Sequence, residues 1–570
     1  MYVMKTGSTF QGKHSLAGIC MTLVVLAAFT TADARADDVT RYDVVILDGR
    51  VVDGSGYRPY ESDVGIRDGV VVAIGNLDDA EAGTRIDARE KVVTPGFIDM
   101  MGQSTLVYVT DRPAAESRLR QGITTHLAGE GGSHAPQNEH TQPSAVVIGD
   151  REVTWRSFSE YFEILESEKL PINVVHNVGA AQVRRVVLGE KDRDPTPDEL
   201  AAMQELVGQA MEDGAIGLST SLIYPPGNYA STEELVALAK VVAPYGGIYL
   251  THMRNESHAL LEAIDEALHI GKMAGIPVHI YHLKAAGQNN WPLMEKAVEQ
   301  INAARESGMD VTADIYPYVR NGIGLRSFIA PYHYAEGSET FIATLDDKQV
   351  RRKLRAEIET DYTWENWYKH VGEDWGKVLI TGASRYKDPS IAGLSVAEAA
   401  IKEGLDEWDM FFELVKVGVG VAPQSMNEGQ KHLAITTPWV MICTDSAAAN
   451  PANVSTTHPR AFGAFPRVIA KYVREDNDLS LEEAVRRMTS LPANRLGLRD
   501  RGRIALGMGA DIAVFDADKI QDAATFAEPM RYAEGIDYLL VNGTLVIDDG
   551  ELTNALPGKV LRNQGVYSVD

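Results

Sequence analysis

Eight apolar, strand-like runs recur through the middle of the chain, and most of them are followed by an amphipathic stretch with helical spacing. Strands that are apolar on both faces and alternate with helices are typical of a parallel sheet covered by helices. This α/β pattern predicts a closed (β/α)8 barrel of the TIM type, with a doubly wound open sheet as the alternative. The runs are VVTPGFIDM, GITTHLAGE, INVVHNVGA, AIGLSTSLIY, GGIYLTHMR, IPVHIYHLK, MDVTADIYPY and WVMICTD.

Both ends of the chain lack this alternation and show short strands separated by turns. Asp68-Gly69 near the start and Asn542-Gly543 near the end are pairs typical of tight hairpins. We therefore predict one small β-sandwich assembled from both termini, residues 37–93 and 501–570, around a barrel at residues 94–500. Two unrelated terminal hairpins are the alternative.

One connection is too long for a simple crossover between strands. Roughly 120 residues separate Tyr318 from Trp439, and they contain the helix-like runs DDKQVRRKLRAEIE and SVAEAAIKEGLDEWDMFFELVK. Loops of this length rarely lack structure of their own. We predict an inserted subdomain at about residues 325–435, next to the mouth of the barrel, where it would cover a site.

The charge balance excludes one class of partner. The 570 residues include 80 acidic and 54 basic side chains, a formal net charge of −26. Binding of nucleic acid requires a basic face, so a nucleic-acid partner is not expected. A chain of this length buries a large core.

Residues 1–36 are predicted to be a secretory signal peptide. Lys5 and Lys13 precede an apolar stretch, residues 16–29, which is shorter than the ~20 residues that span a membrane. The motif ADARA follows, with cleavage expected near Ala34 or Ala36. We expect an exported protein, periplasmic or secreted, with no membrane contact after cleavage; a retained anchor is the alternative. Only Cys443 then remains, which rules out an internal disulfide.

Polar residues at the C-terminal ends of the predicted strands are the candidates for an active site, because barrel enzymes build their sites there. His252 ends GGIYLTH and His282 ends VHIYH, at matching points of successive strands. This repetition favours a pair of metal ligands over isolated structural histidines, whereas His279 points to the opposite face and is predicted to be structural. The other candidates at strand ends are Asp99, Gln103, Glu130, Tyr224, Arg254, Lys284, Tyr316 and Asp445.

Two carboxylates are candidates for the same site. Glu130 lies in the glycine-rich turn GEGGS, where it is either a metal ligand or simply solvated. Asp445 follows the apolar WVMIC, where burial without a partner is costly; an N-cap before SAAAN is its alternative role. Imidazole and carboxylate ligands suit zinc, and a nearby carboxylate exchanges protons with water and with a leaving amine.

Longer motifs resemble those of the D-aminoacylases, the N-acyl-D-amino-acid deacylases of the amidohydrolase superfamily. They include GAIGLSTSLIYPPGNYAS, THMRNES, YHLKAAG, THPRAFGAFPRV and RGRIALGMGADIAVFD, and the resemblance extends from about Tyr42 to Leu561. It implies zinc-dependent hydrolysis of N-acyl-D-amino acids on a (β/α)8 barrel, giving a carboxylate and a free D-amino acid. It also implies that His252 and His282 bind zinc and that Asp445 is the catalytic acid/base. The candidates for substrate binding are Tyr224, Arg254, Lys284 and Arg460.

The chain departs from that family in its ligands. Met101 and Gln103 stand where the superfamily has the His-x-His of the first strand, and the family cysteine falls at Gly131. We therefore predict one zinc ion per chain with water in the fourth position, and Gln103 as a weak neutral ligand or a hydrogen-bond donor to substrate. The three predicted ligands are His252, His282 and Glu130.

Other functions remain open on the sequence alone. A different amidohydrolase reaction would act on D-dipeptides, cyclic imides or an amide-linked toxin. An exported protein of the same fold that binds an acylated small molecule without turnover is an alternative from another class. A purely structural metal is the third.

Overall fold

The computed structural model describes residues 41–335, 337–454 and 456–563. The predicted signal peptide at residues 1–36 lies outside them. These residues form a mixed α/β structure in which helices separate most of the parallel strands. Within the described ranges, no helix combines the length and the apolar character needed to cross a bilayer.

Strands from both ends of the chain pair in a single nine-stranded sheet. At the junction, Val92–Pro95 runs antiparallel to Ile512–Phe515 and parallel to Tyr42–Val51. The hairpin turns fall at the predicted pairs, where Asp68 and Asn542 take φ values of 53° and 48°. The two ends are therefore joined and are not unrelated hairpins. The nine strands are Tyr42–Val51, Tyr60–Arg67, Val70–Gly75, Ala82–Asp87, Val92–Pro95, Ile512–Phe515, Ile536–Val541, Thr544–Asp548 and Glu551–Leu552.

Each of the eight apolar runs contains a strand that pairs in parallel with its neighbours. The third run is split at Asn177, so the strands fall into a three-stranded and a six-stranded sheet. Hydrogen-bonded pairing within the described residues does not close these sheets, and the closed barrel stays a prediction. The strands are Phe97–Asp99, Ile123–Ala128, Asn173–His176, Val178–Gly179, Gly217–Ser221, Ile248–His252, Val278–Ile280, Val311–Ile315 and Val440–Ile442.

The helices between these strands carry clear end signals. In Pro197–Asp213, Thr196 and Glu199 form a reciprocal capping box, and Gly214 ends the helix with a φ of 118°. A short hairpin, Val146–Ile148 with Arg151–Val153, precedes the third strand. The helices are Val107–Thr110, Glu116–Leu119, Phe158–Glu168, Ala180–Leu188, Pro197–Asp213, Thr232–Val242, Leu260–Ala274, Leu293–Glu306, Arg460–Arg467, Val468–Glu475, Leu481–Met488 and Ser490–Arg495.

The long connection after residue 318 folds around a hydrophobic cluster of its own, which includes Trp375, Trp408 and Phe411. Aromatic rings dominate this cluster, with Trp375 and Phe411 stacked at 4.8 Å between centroids. A separate core is what an inserted subdomain requires, although its bounds stay a prediction. The connection contains the strands Ile323–Gly324, Val378–Gly382 and Gly420–Pro423 and the helices Ser338–Thr344, Lys348–Thr360, Trp367–His370, Val396–Glu403, Glu407–Val417 and Glu428–Thr436.

Candidate metal and catalytic site

Three candidate metal ligands come together at the ends of parallel strands. Ile248–His252 pairs with Val278–Ile280, so His252 at the end of the first strand lies near His282, just beyond the second. Glu130 follows the second parallel strand of the chain. One ligand atom from each of these three residues lies within 4.8 Å of the others. The structure thus groups the three residues that the sequence predicts to bind metal.

Glu130 contacts both histidines. Its Oε1 lies 2.6 Å from His252 Nδ1 and 3.4 Å from His282 Nε2. The two imidazole rings are nearly perpendicular, at 84°, with their centroids 4.5 Å apart. Burial raises the pKa of Glu130, but the hydrogen bonds with the two histidines outweigh burial and hold this pKa below its usual value. Glu130 is therefore a carboxylate at neutral pH.

This set of donors fits a zinc ion. Two imidazole nitrogens and a carboxylate oxygen form a ligand set used by catalytic zinc, which keeps one position open. His252 Nε2 is buried and makes no hydrogen bond with any described residue. That nitrogen lies 3.4 Å from Glu256 Oε2, so the nitrogens that would bind the metal are His252 Nδ1 and His282 Nε2, which both face Glu130.

Asp445 joins the same group through Gln103 and Arg460. Gln103 Nε2 donates to Glu130 Oε2 at 2.9 Å and to Asp445 Oδ1 at 3.1 Å. Arg460 Nη1 donates to Asp445 Oδ2 at 2.6 Å. Burial raises the pKa of Asp445, and the Arg460 charge opposes that rise without cancelling it. The carboxyl group is therefore suited to both taking up and returning a proton.

Three residues of this group have left-handed backbone. The φ values are 66° at Gln103, 36° at His282 and 46° at Asp445. Non-glycine residues rarely adopt this conformation, and its cost is common at functional sites. The sequence pattern does not predict these three backbone conformations.

Glu256 is a member of the group that the sequence analysis missed. Its Oε1 lies 2.9 Å from His282 Nδ1 and its Oε2 lies 3.4 Å from His252 Nε2. Lys284 Nζ donates to Glu256 Oε1 at 2.5 Å. Burial raises the pKa of Glu256, but Lys284 and both histidines lower it below its usual value. The sequence signal that could have identified Glu256 is its position four residues after His252, which ends a strand.

The predicted substrate-binding residues have different surroundings. Lys284 is buried between Glu256 and His282, and the Tyr224 ring lies 5.5 Å from the His252 ring. Arg254 is not brought into the group, because Glu266 accepts from its Nε and its Nη2 at 2.9 Å each. The backbone carbonyls of residues 228 and 230 accept from Arg254 Nη1 at 3.1 Å and from Nη2 at 2.9 Å.

His279, Met101 and Gly102 are buried in the interior of the protein. His279 Nε2 lies 2.9 Å from Asp314 Oδ2 and its Nδ1 lies 2.8 Å from Thr312 Oγ1, so both ring nitrogens have partners in the buried interior. Met101 is fully buried in the main hydrophobic core. Gly102 packs against the ring of His126, to which an added Cβ would approach within 2.5 Å. Only Gln103 of this segment reaches the candidate site.

A cavity of about 390 Å³ connects these side chains. Its other walls come from the loop after Tyr316, from the inserted segment and from residues around Arg460. Arg254 is absent from its lining. The charged and hydrogen-bonding residues that line it include Gln103, Glu130, Tyr224, His252, Glu256, His282, Lys284, Tyr316, Asn321, Asp445, His458 and Arg460.

Two deacylases are similar to this chain over nearly their whole length. Residues 433–547 match the model of the amidohydrolase family. The chain is 34% identical to the N-acyl-D-glutamate deacylase of Alcaligenes xylosoxydans xylosoxydans, over 92% of this chain and 97% of that protein. It is 32% identical to the D-aminoacylase of the same organism, over 92% and 98% of the two chains.

Solved structures of an N-acyl-D-glutamate deacylase and a D-aminoacylase also match this chain. The N-acyl-D-glutamate deacylase from Bordetella bronchiseptica, complexed with zinc and a phosphonate mimic of the tetrahedral intermediate, matches with a TM-score of 0.77. That match has 31% identity and covers 92% of this chain and 100% of the other. A D-aminoacylase crystal structure matches with a TM-score of 0.76 and 31% identity, over 91% and 100% of the two chains. This chain belongs to the D-aminoacylase (N-acyl-D-amino-acid deacylase) family of the amidohydrolases.

Proposed function

We propose that this protein hydrolyses the amide bond of N-acyl-D-amino acids, releasing a carboxylate and a free D-amino acid. The observation that carries the proposal is the grouping of Glu130, His252 and His282 with Asp445 in one cavity. Amide hydrolysis by this route needs a metal site and an acid/base group that act on the same water. The relatives at 34% and 32% identity, an N-acyl-D-glutamate deacylase and a D-aminoacylase, support an acylated D-amino acid as the substrate.

Glu130, His252 and His282 would hold one zinc ion. When bound, zinc supplies Lewis acidity, which makes water nucleophilic near neutral pH. A single ion is favoured because Met101 is buried in the core and Gln103 is neutral, so the first strand offers no second set of strong ligands. Gln103 orients the Glu130 carboxylate by donating to its Oε2.

Asp445 takes a proton from the attacking water and later gives it to the leaving amine. Arg460 holds Oδ2 at 2.6 Å, whereas Oδ1 accepts only the longer hydrogen bond from Gln103 and is the oxygen that exchanges the proton. The raised pKa of Asp445 makes its carboxylate a stronger base, which favours uptake of the proton from water. Arg460 also lines this cavity, where its guanidinium would bind a substrate carboxylate.

We also infer a closed barrel and an exported location. The strands follow chain order across both parallel sheets, as they do in a (β/α)8 barrel. Just after the strand Val440–Ile442, Thr444 donates from its backbone N and its Oγ1 to Asp99 of the strand Phe97–Asp99 at 2.9 and 2.6 Å, which supports closure. Export rests on the signal-like sequence of residues 1–36.

Zinc content and activity, measured on one sample of mature protein, test the proposal. We expect about one zinc per chain and hydrolysis of N-acetyl-D-amino acids that is lost on chelation and restored by zinc. Binding of the acylated compound without product, and without dependence on zinc, would favour an exported binding protein instead. Unfolding on chelation would assign the metal a structural role.

A further inference from the structure

The inserted segment contacts the surroundings of the candidate zinc site through one buried carboxyl group, that of Glu365. Its Oε1 accepts a hydrogen bond from the backbone N of Glu256 at 2.9 Å. The backbone O of Glu256 accepts in turn from the backbone N of Ala286 at 2.7 Å. Glu256 is thus held on both sides of its own backbone, and its carboxylate contacts His282 and His252. The inserted segment therefore helps to fix the loop that carries Glu256.

The neighbours of Glu365 along the chain anchor it in the inserted segment. Trp364 and Trp367 belong to the hydrophobic cluster of that segment, and Trp367 is almost fully buried. Between them, Asn366 Nδ2 donates to two backbone carbonyls of the same segment at 2.8 and 3.0 Å. A carboxyl group anchored in this way can position another loop, because it does not move independently of the core behind it.

The surroundings of Glu365 favour a neutral carboxyl group. The side chain is buried, and its Oε2 has no hydrogen-bond partner among the described residues. Lys284, a cation of the same region, already pairs with Glu256 at 2.5 Å. A buried carboxylate without a partner of its own is costly, whereas burial of a protonated carboxyl group costs much less.

The charged groups that face Glu365 act in the same direction on balance. Burial and the charge of Glu256 raise the pKa of Glu365 to about 8. The charges of Lys284 and His282 oppose this rise without cancelling it. Tyr224 also faces Glu365, but burial raises the pKa of its hydroxyl group, which is therefore neutral and supplies no compensating charge. Glu365 is thus protonated at neutral pH, and its carbonyl oxygen accepts from the Glu256 backbone.

We propose that Glu365 is a positioning residue, through which the inserted segment holds Glu256 against the two zinc-binding histidines. The inference rests on the proposed zinc-dependent hydrolysis and gives a residue of the inserted segment a part in it. Glu256 orients the histidines only while its loop stays in place, and the hydrogen bond from Glu365 keeps it there. A negative charge on Glu365 would repel the Glu256 carboxylate, so loss of the Glu365 proton should weaken this support.

Two substitutions separate the hydrogen bond of Glu365 from its charge. Glu365→Ala removes the acceptor and should weaken zinc binding by the apo-protein about tenfold or more, with a fall in kcat. Glu365→Gln keeps an acceptor oxygen and is always neutral, so at pH 7 it should retain the zinc affinity and the kcat that Glu365→Ala loses. Glu403→Ala is the matched control. Glu403 is another carboxylate of the inserted segment, 11% exposed, which pairs with Lys387 at 2.7 Å and does not line the cavity of the zinc site.

The pH dependence is a readout that a merely structural role would not change. Zinc affinity and kcat of the wild type should fall as the pH rises through about 8, and Glu365→Gln should lack this fall. The pKa of Glu365 is raised from 4.5 on folding, so the melting temperature of the wild type relative to Glu365→Gln should decline between pH 4.5 and 8.

Three results would overturn the inference: unchanged zinc affinity in Glu365→Ala, equal losses of zinc affinity in Glu365→Ala and Glu403→Ala, or identical pH profiles of the wild type and Glu365→Gln. If the wild type itself binds no zinc and hydrolyses no N-acyl-D-amino acid, the proposed function falls and takes this inference with it.

Discussion

Replacing Glu256 by glutamine removes a carboxylate that contacts both candidate zinc histidines at the nitrogens that face away from Glu130. The contacts are 2.9 Å to His282 Nδ1 and 3.4 Å to His252 Nε2. A carboxylate in this position fixes the tautomer and orientation of a metal-binding histidine, and its loss typically costs tenfold to a hundredfold in metal affinity. This corresponds to about 1.4 to 2.7 kcal/mol. Glutamine keeps one acceptor oxygen and so can satisfy at most one of the two rings.

The same substitution leaves Lys284 without its anionic partner. Lys284 Nζ lies 2.5 Å from Glu256 Oε1, and both side chains are almost fully buried, at 2% and 1% exposure. Breaking a buried ion pair on one side costs roughly 3 to 5 kcal/mol of folding stability. Adding Lys284→Met removes the unpaired charge, so the double variant should recover much of the lost melting temperature. It should not recover the orientation of the histidines.

The assay is therefore zinc affinity of the apo-protein, by competition with a chromogenic chelator, together with the melting temperature of each variant. We expect weakened zinc binding in Glu256→Gln and in the double variant, with stability partly restored only in the latter. Unchanged zinc affinity in the single variant would refute the positioning role. Zinc affinity that returns together with stability in the double variant would show that Glu256 acts only through folding.

Three further predictions address catalysis, substrate binding and pH. Asp445→Asn should retain zinc and lower kcat at least ~100-fold, since general acid–base catalysis contributes about 10² to 10⁴; near-normal turnover would contradict its role. Arg254→Met should lower the melting temperature and leave KM for an N-acetyl substrate almost unchanged, because Glu266 already holds the guanidinium; a raised KM at unchanged stability would restore a substrate role. Burial lowers the pKa of His370 to about 3, so its contribution to stability is complete above pH 6.5 and declines as the pH falls toward 3. By pH 5 this loss is about 2 kcal/mol relative to His370→Asn, measured by urea unfolding, and equal pH dependence of both proteins would contradict it.

Periodicity alone was enough to predict the parallel strands. A strand buried on both faces is usually apolar, as Val440–Ile442 is, although Gly217–Ser221 is also buried and contains three hydroxyl side chains. The split of the third run was not predictable. Asn177 breaks it, and its side chain donates to Gly129 O at 3.2 Å and to Tyr281 Oη at 3.1 Å. Such partners are distant in sequence, and no local pattern reveals them.

The sequence likewise predicted some contacts of the candidate site and missed others. His252 and His282 could be placed together because the end of a parallel strand fixes which side chains meet. Arg254, only two residues after His252, could not, since its direction is set by Glu266 on the following helix. Glu256 was overlooked although it follows His252 by only four residues. It lies in a loop, where a spacing of four residues does not predict that two side chains are close together.

The conformation of Gly131 is tied to the position of Glu130, the candidate carboxylate ligand, and the resemblance assigns a cysteine to the place of Gly131. Gly131 has a φ of 68°, and an added Cβ would lie 2.5 Å from the backbone nitrogen of Ser221. Gly131→Cys must therefore move the turn away from the strand Gly217–Ser221, and Glu130 moves with it. A non-glycine residue in this conformation also costs about 1 to 3 kcal/mol.

We expect Gly131→Cys to lower the melting temperature and the zinc affinity together. Gly131→Ala is the matched control, because it introduces the same Cβ and the same backbone strain without a thiol. If the two variants lose zinc affinity equally, the geometry of the turn determines the ligand set. If Gly131→Cys keeps its zinc affinity while Gly131→Ala loses it, the thiol has replaced the Glu130 carboxylate, and the turn does not exclude a cysteine ligand.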